Sequence, residues 1–220
     1  MDFSGPDAAD FAEVTALNQA FLARLRAPGA AGANLRRLLP ANLHAVVAAL
    51  RDLQVERLAS SPFLLLSLRE RDSAYWQQLA GKHASPDLFA AANENSDGIT
   101  VAALSFLWHL ARRNRYAVRL VSGADNDWCS VMSSNTLFTL LRRASRRPDL
   151  LRPRLAGNGA FWSKLLGPGL DSNPGVRRAA HTTCLQTLLT GRPAPMQQPR
   201  AAARRSQPPL YRSRPVRRPG

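Results

Sequence analysis

Asp10-Phe11-Ala12-Glu13-Val14-Thr15-Ala16-Leu17-Asn18-Gln19-Ala20-Phe21-Leu22-Ala23-Arg24-Leu25, residues 10–25, decides the fold class. Phe11, Val14, Leu17, Phe21, Leu22 and Leu25 recur at the spacing of one helical face, and Pro28-Gly29 ends the run. A second face follows in Leu43, Val46, Val47, Leu50, Leu53 and Leu58, with Pro40 and Asn42 at its start. The strict apolar and polar alternation of a half-buried strand is sustained nowhere. The chain therefore reads as all-α, a helical bundle or irregular helical repeat.

Comparing the chain with itself supports a repeat. An offset of 34 aligns Arg112-Arg113 with Arg146-Arg147, Gly123 with Gly157 and Trp128 with Trp162. An offset of 86 lays Pro62 on Pro148, Leu64-Leu65 on Leu150-Leu151, and Ala74-Tyr75-Trp76-Leu79 on Ala160-Phe161-Trp162-Leu165. Helical units of this size stack so that each covers its neighbour's apolar face. On this reading Trp76, Trp128 and Trp162 are equivalent core anchors.

Charge divides the chain unevenly. Of 220 residues 30 are basic and 15 acidic, a formal net charge of +15, and almost every base is arginine. Residues 1–98 carry nine Lys/Arg and eleven Asp/Glu, residues 99–190 thirteen and four, and residues 191–220 eight and none. A field of this sign in the second half attracts a polyanion. The last thirty residues hold seven prolines and few large apolar side chains, which predicts a disordered basic tail. Breakers and small polar residues over 81–98 mark a linker. The expected organisation is a helical module over 1–80, that linker, a basic helical region over 99–190, and the tail over 191–220.

No apolar run approaches the roughly 18–20 residues that span a bilayer, and the first residues lack a signal-peptide pattern, so a cytoplasmic protein without membrane contact is expected. Two cysteines, Cys129 and Cys184, exclude a disulfide scaffold. Catalytic and cofactor motifs are missing. Gly157-Asn158-Gly159 lacks the lysine and spacing of a phosphate loop and reads as a turn before a helix. His181-x-x-Cys184 is the only short ligand pair, with Cys129 and His109 distant in sequence, so no metal or cofactor is expected. Asp125 and Asp127 read as an N-cap cluster, and His109 as a core or boundary residue.

The basic clusters are the strongest chemical signal. Arg112, Arg115 and Arg119 share one face if the helix runs through Asn114, and Arg142, Arg143, Arg146 and Arg147 form two i, i+4 rows after Asn135. Rows of like charge repel, and a bound anion relieves that cost. Phosphate contacts are the chemistry such rows suit.

Between Asn34 and Leu79 the words Ala48-Ala49-Leu50, Gln54, Arg57-Leu58-Ala59, Ser61, Leu64-Leu65, Arg69, Asp72, Ala74, Trp76 and Leu79 run in an order that resembles the FlhD family of bacterial flagellar transcriptional regulators. The resemblance covers about a third of the chain. It implies an all-α module that dimerises and meets a regulatory protein partner, with Leu58, Leu64, Leu65 and Leu68 as candidate interface residues. The expected function is transcriptional regulation, extended by the resemblance to flagellar genes, through protein partners and electrostatic DNA contact. The alternative is a non-enzymatic helical-repeat adaptor that binds protein without DNA.

Overall fold

The computed structural model describes residues 4–81, 97–145 and 147–191. Most of the linker and tail segments, and Arg146, lie outside these residues. The described chain is all-α apart from two short strands.

α1 (Ala8–Arg26) opens with a reciprocal capping box in which the Asp10 N–H donates to Asp7 Oδ1 at 2.8 Å and the Asp7 N–H to Asp10 Oδ2 at 3.0 Å. It buries Val14, Leu17, Phe21, Leu22 and Leu25, the face read from the spacing except for Phe11, which is exposed. α2 (Ala30–Arg36) returns so closely that a Cβ on Gly32 would stand 2.4 Å from the Ala27 carbonyl oxygen. Only glycine allows that approach.

The helix expected across Leu43–Leu58 is two. A 3-10 turn (Ala41–Leu43) leads into α3 (His44–Ala48), and α4 (Asp52–Ala59) starts afresh after Leu50 turns inward. Tertiary contacts hold the break: Arg26 donates to the Leu50 carbonyl at 3.0 Å and pairs with Asp52 at 2.6 Å. β1 (Leu66–Ser67) and α5 (Ser73–Gly81) complete the first half.

The second half repeats this order in α6 (Gly98–Arg113), α7 (Arg115–Ser122), α8 (Asn126–Ser134), α9 (Leu137–Ala144), β2 (Arg152–Pro153) and α10 (Gly159–Leu166). Asp97, Asn114, Asp125, Thr136 and Asn158 cap these five helices, each accepting a backbone N–H with its side chain. A 3-10 turn (Pro168–Leu170) and α11 (Pro174–Thr190) follow.

The offset of 86 seen in the sequence is structural. β1 and β2 pair antiparallel with Leu66 opposite Pro153 and Ser67 opposite Arg152, so each strand's first residue faces the other's second. That is the register of a local two-fold axis. The two non-glycine residues with positive φ, Arg69 (59°) and Leu155 (46°), stand 86 apart. Seven residues beyond each is a buried tryptophan. Trp76 Nε1 donates to the Leu68 and Arg69 carbonyls at 3.1 Å, and Trp162 Nε1 to the Arg154 carbonyl at 2.7 Å. Trp128 is equally buried, packed edge-on to Trp76 at 5.8 Å, but it departs from this pattern. It is the residue whose own N–H Asp125 caps, one position earlier in its helix, and its indole N–H is buried without a partner among the described residues. All three tryptophans anchor the core; only Trp76 and Trp162 are equivalent.

Two expectations are corrected here. The segment 1–80 is not a separate module, because one continuous apolar core draws on both halves. The Leu64 N–H donates to the Val121 carbonyl at 2.8 Å and the Arg154 N–H to the Leu65 carbonyl at 2.7 Å. Leu58, Leu64, Leu65 and Leu68, expected at an interface, are fully buried. The chain's own second half covers the face that a partner was expected to cover.

Candidate nucleic-acid interface

Asn114 decides how the arginines lie. Its extended backbone (φ −152°, ψ 93°) ends α6 and its side chain caps α7, so Arg112 and Arg115 do not share one helix as the single-helix reading required. α8 nevertheless gathers them. Arg112 lies 4.7 Å over the Trp108 ring, and Trp108 Nε1 donates to the Asn135 carbonyl, just past the end of α8, at 2.9 Å. Arg115 donates to Ser133 Oγ at 3.1 Å. Arg119, further along α7, shares with Arg115 an electrostatic pull on the Cys129 thiol. Arg112, Arg115 and Arg119 are all exposed. Three guanidinium groups from two helices thus follow α8.

The same positions in the first half carry no such row. Eighty-six residues before Arg115 and Arg119 stand Gly29 and Ala33, and the counterpart of Arg112 is Arg26, neutralised by Asp52.

Arg142, Arg143 and Arg147 are half-buried rather than an open basic face, and Arg146 lies outside the described residues. Arg147 lies 5.6 Å over the Tyr75 ring, and Arg69 lies 4.0 Å over it. Arg69 also pairs with Asp149 at 2.5 Å and Asp72 at 2.7 Å, while Tyr75 Oη donates to Asp149 Oδ1 at 3.3 Å. Burial first, and then the Asp149 charge, push the Tyr75 phenol up to about 12. Arg147 therefore helps to hold the surface where the two halves meet.

A cleft of about 210 Å³ opens at the end of the arginine row, lined by Arg71, Arg119, Gly123, Ala124, Asp125 and Leu189. Arg71 is committed to structure there. It donates to the Gly123 carbonyl at 2.8 Å and to the Leu188 and Gly191 carbonyls, tying the ends of α7 and α11 together. Gly123 has φ 67°, and a Cβ there would stand 2.6 Å from Leu188.

Burial pushes the Cys129 and Cys184 thiols up to about 11, which leaves them protonated and unreactive at neutral pH. Among the described residues no group of three His, Cys, Asp or Glu side chains is placed to hold a metal. No described helix is long and apolar enough to cross a membrane. Asp125 is a cap, as the sequence suggested, with Asp127 in the first turn of the same helix; Asn158, read as a turn before a helix, caps α10, and His109 is exposed rather than at a core or boundary position.

His181 is buried at the junction of α11 with the end of α4, its Nε2 3.4 Å from Ser61 Oγ. Burial, reinforced by Arg177, lowers its pKa from the ordinary 6.5, and the Gly169 backbone opposes this only in part. An unfolded chain therefore takes up this proton before the folded one does. Stability is expected to fall as pH drops below about 6.5, and His181→Gln should flatten that dependence. Urea denaturation from pH 7.5 to 5 checks this; equal pH slopes in the two proteins would refute it.

Trp108 and Phe138 escaped the sequence reading. Phe138 is 63% exposed beside the buried Leu140 and Ala144 of α9. The helical period was the available signal: two positions from Leu140, Phe138 falls on nearly the opposite side of the helix. Comparison with known proteins found no matching family model, curated protein or solved structure.

Proposed function

We propose that this chain is a non-enzymatic regulator that contacts DNA electrostatically through Arg112, Arg115 and Arg119. The observation that carries the reading is the gathering of these three exposed guanidiniums along α8 in the second half alone. Its short repeat partner, with Gly29 and Ala33 at two of the three places, folds without them. The fold does not require the row, and phosphates are the ligands that relieve its repulsion. The FlhD-like words between Asn34 and Leu79 support a regulatory role at flagellar promoters; a protein partner would meet the chain elsewhere than at the buried Leu58, Leu64, Leu65 and Leu68.

The triple variant Arg112→Gln/Arg115→Gln/Arg119→Gln is expected to bind duplex DNA more weakly. Its dependence of log K on log salt should be shallower by about 0.9 for each phosphate that the variant no longer neutralises. Fluorescence anisotropy over a salt series measures both quantities. An unchanged slope would remove the row as a phosphate-binding element. It would favour the adaptor reading, which the exposed Leu38, Val46 and Leu53 of the first half support as a protein-binding surface.

A further inference from the structure

The corner between α8 and α9 joins cations to aromatic rings. Asn135 receives the Trp108 indole N–H there, and three residues later Phe138 stands in the first turn of α9. Phe138 has the greatest exposure of the large apolar side chains described. One face of Trp108 is covered by Arg112, and Arg115 reaches the same end of α8 through Ser133.

The first half provides a control within the molecule. At the offset of 86 the counterpart of Phe138 is Asp52, a carboxylate that pairs with Arg26. The outward ring is thus a feature of the second half alone. There Phe138 follows Asn135, the residue that Trp108 bonds, at the end of α8 that Arg112 and Arg115 approach, and both arginines are exposed. A ring beside cations recognises a flat π-face next to a phosphate. Duplex DNA offers the phosphate but keeps its base faces stacked inside the helix. An unpaired strand offers both.

We propose that this corner is a stacking site for an unpaired DNA base, with Phe138 taking the base and Arg112 and Arg115 the adjoining phosphates. The site deepens the DNA-contact reading and rests on it. It selects single strand over duplex and tolerates any base, because every base presents a π-face.

The test uses the full chain and fluorescence anisotropy with oligothymidylate and a mixed-sequence duplex, on wild type, Phe138→Ala and Phe138→Trp. Phe138→Ala should weaken oligothymidylate binding roughly 5- to 150-fold, the range for removal of one base stack, and change duplex affinity less than twofold. Phe138→Trp should restore strand binding. Unaltered thermal unfolding of both variants, expected for so exposed a residue, ties any loss to the ring. Wild-type strand affinity in Phe138→Ala would overturn the proposal, as would equal losses on strand and duplex, or binding of oligouridylate without oligothymidylate. Duplex binding that depends on the arginines while Phe138 proves irrelevant sinks the stacking site alone. Failure of wild type to bind either DNA sinks the DNA reading and the stacking site together.

Discussion

Replacing Arg154 by methionine is expected to destabilise the chain by about 3–5 kcal/mol, the penalty for leaving one charge of a buried pair alone. Arg154 is 3% exposed and its partner Glu70 1%. The guanidinium meets the carboxylate at 3.0 and 3.2 Å, donates to the Leu64 carbonyl at 2.8 Å, and also donates to the Ser122 carbonyl. These bonds join β2 of the second half to the segment around β1 and to the end of α7. Methionine fills much of the volume but strands the Glu70 charge and two carbonyls. Adding Glu70→Gln removes the stranded charge, so the double variant should recover part of the stability. Guanidinium denaturation of wild type, single and double variants measures this. A loss below about 1 kcal/mol for Arg154→Met would show that the pair does not hold the halves together.

Truncating Trp162 or Trp76 to alanine is expected to cost about 3–5 kcal/mol each, as for other large buried aromatics. Phenylalanine sorts the three tryptophans more finely. At 76 and 162 it keeps most of the packing but removes the bond from the indole to a carbonyl seven or eight residues upstream. At 128 the indole N–H has no such bond among the described residues, so Trp128→Phe should be the mildest of the three. Two equivalent tryptophans and one outlier are the signature of a two-fold arrangement; three equal losses to phenylalanine would return the chain to a three-unit repeat. Chemical denaturation under one set of conditions ranks them.

Much of the fold was legible in the residues. The spacing of Val14, Leu17, Phe21 and Leu25 specified the buried face of α1 because a helix of 3.6 residues per turn has no other way to collect them. Asp125, read as a cap, starts α8 by accepting the Trp128 N–H, whereas Asn114, through which a helix was read to run, ends α6 and caps α7. The matched words Leu64-Leu65 and Leu150-Leu151, each followed by a tryptophan, announced that a unit recurs, and the uneven charge of the halves was arithmetic.

What the residues left undetermined is what each face is buried against. Apolar burial is non-directional, so the pattern around Leu58, Leu64, Leu65 and Leu68 satisfies a partner chain and a second half equally well. Closing the strands across the two-fold axis settled it in favour of the second half. The same holds at the candidate site. Asn114 broke the helix that would have aligned Arg112 with Arg115 and Arg119, and only the packing of α6 and α7 against α8 set the three arginines along it, with Arg112, Arg115 and Trp108 at the end that leads into α9. Local periodicity decides which side chains turn inward, while the meeting of surfaces distant in sequence depends on shape and long-range hydrogen bonds that no short window of residues contains.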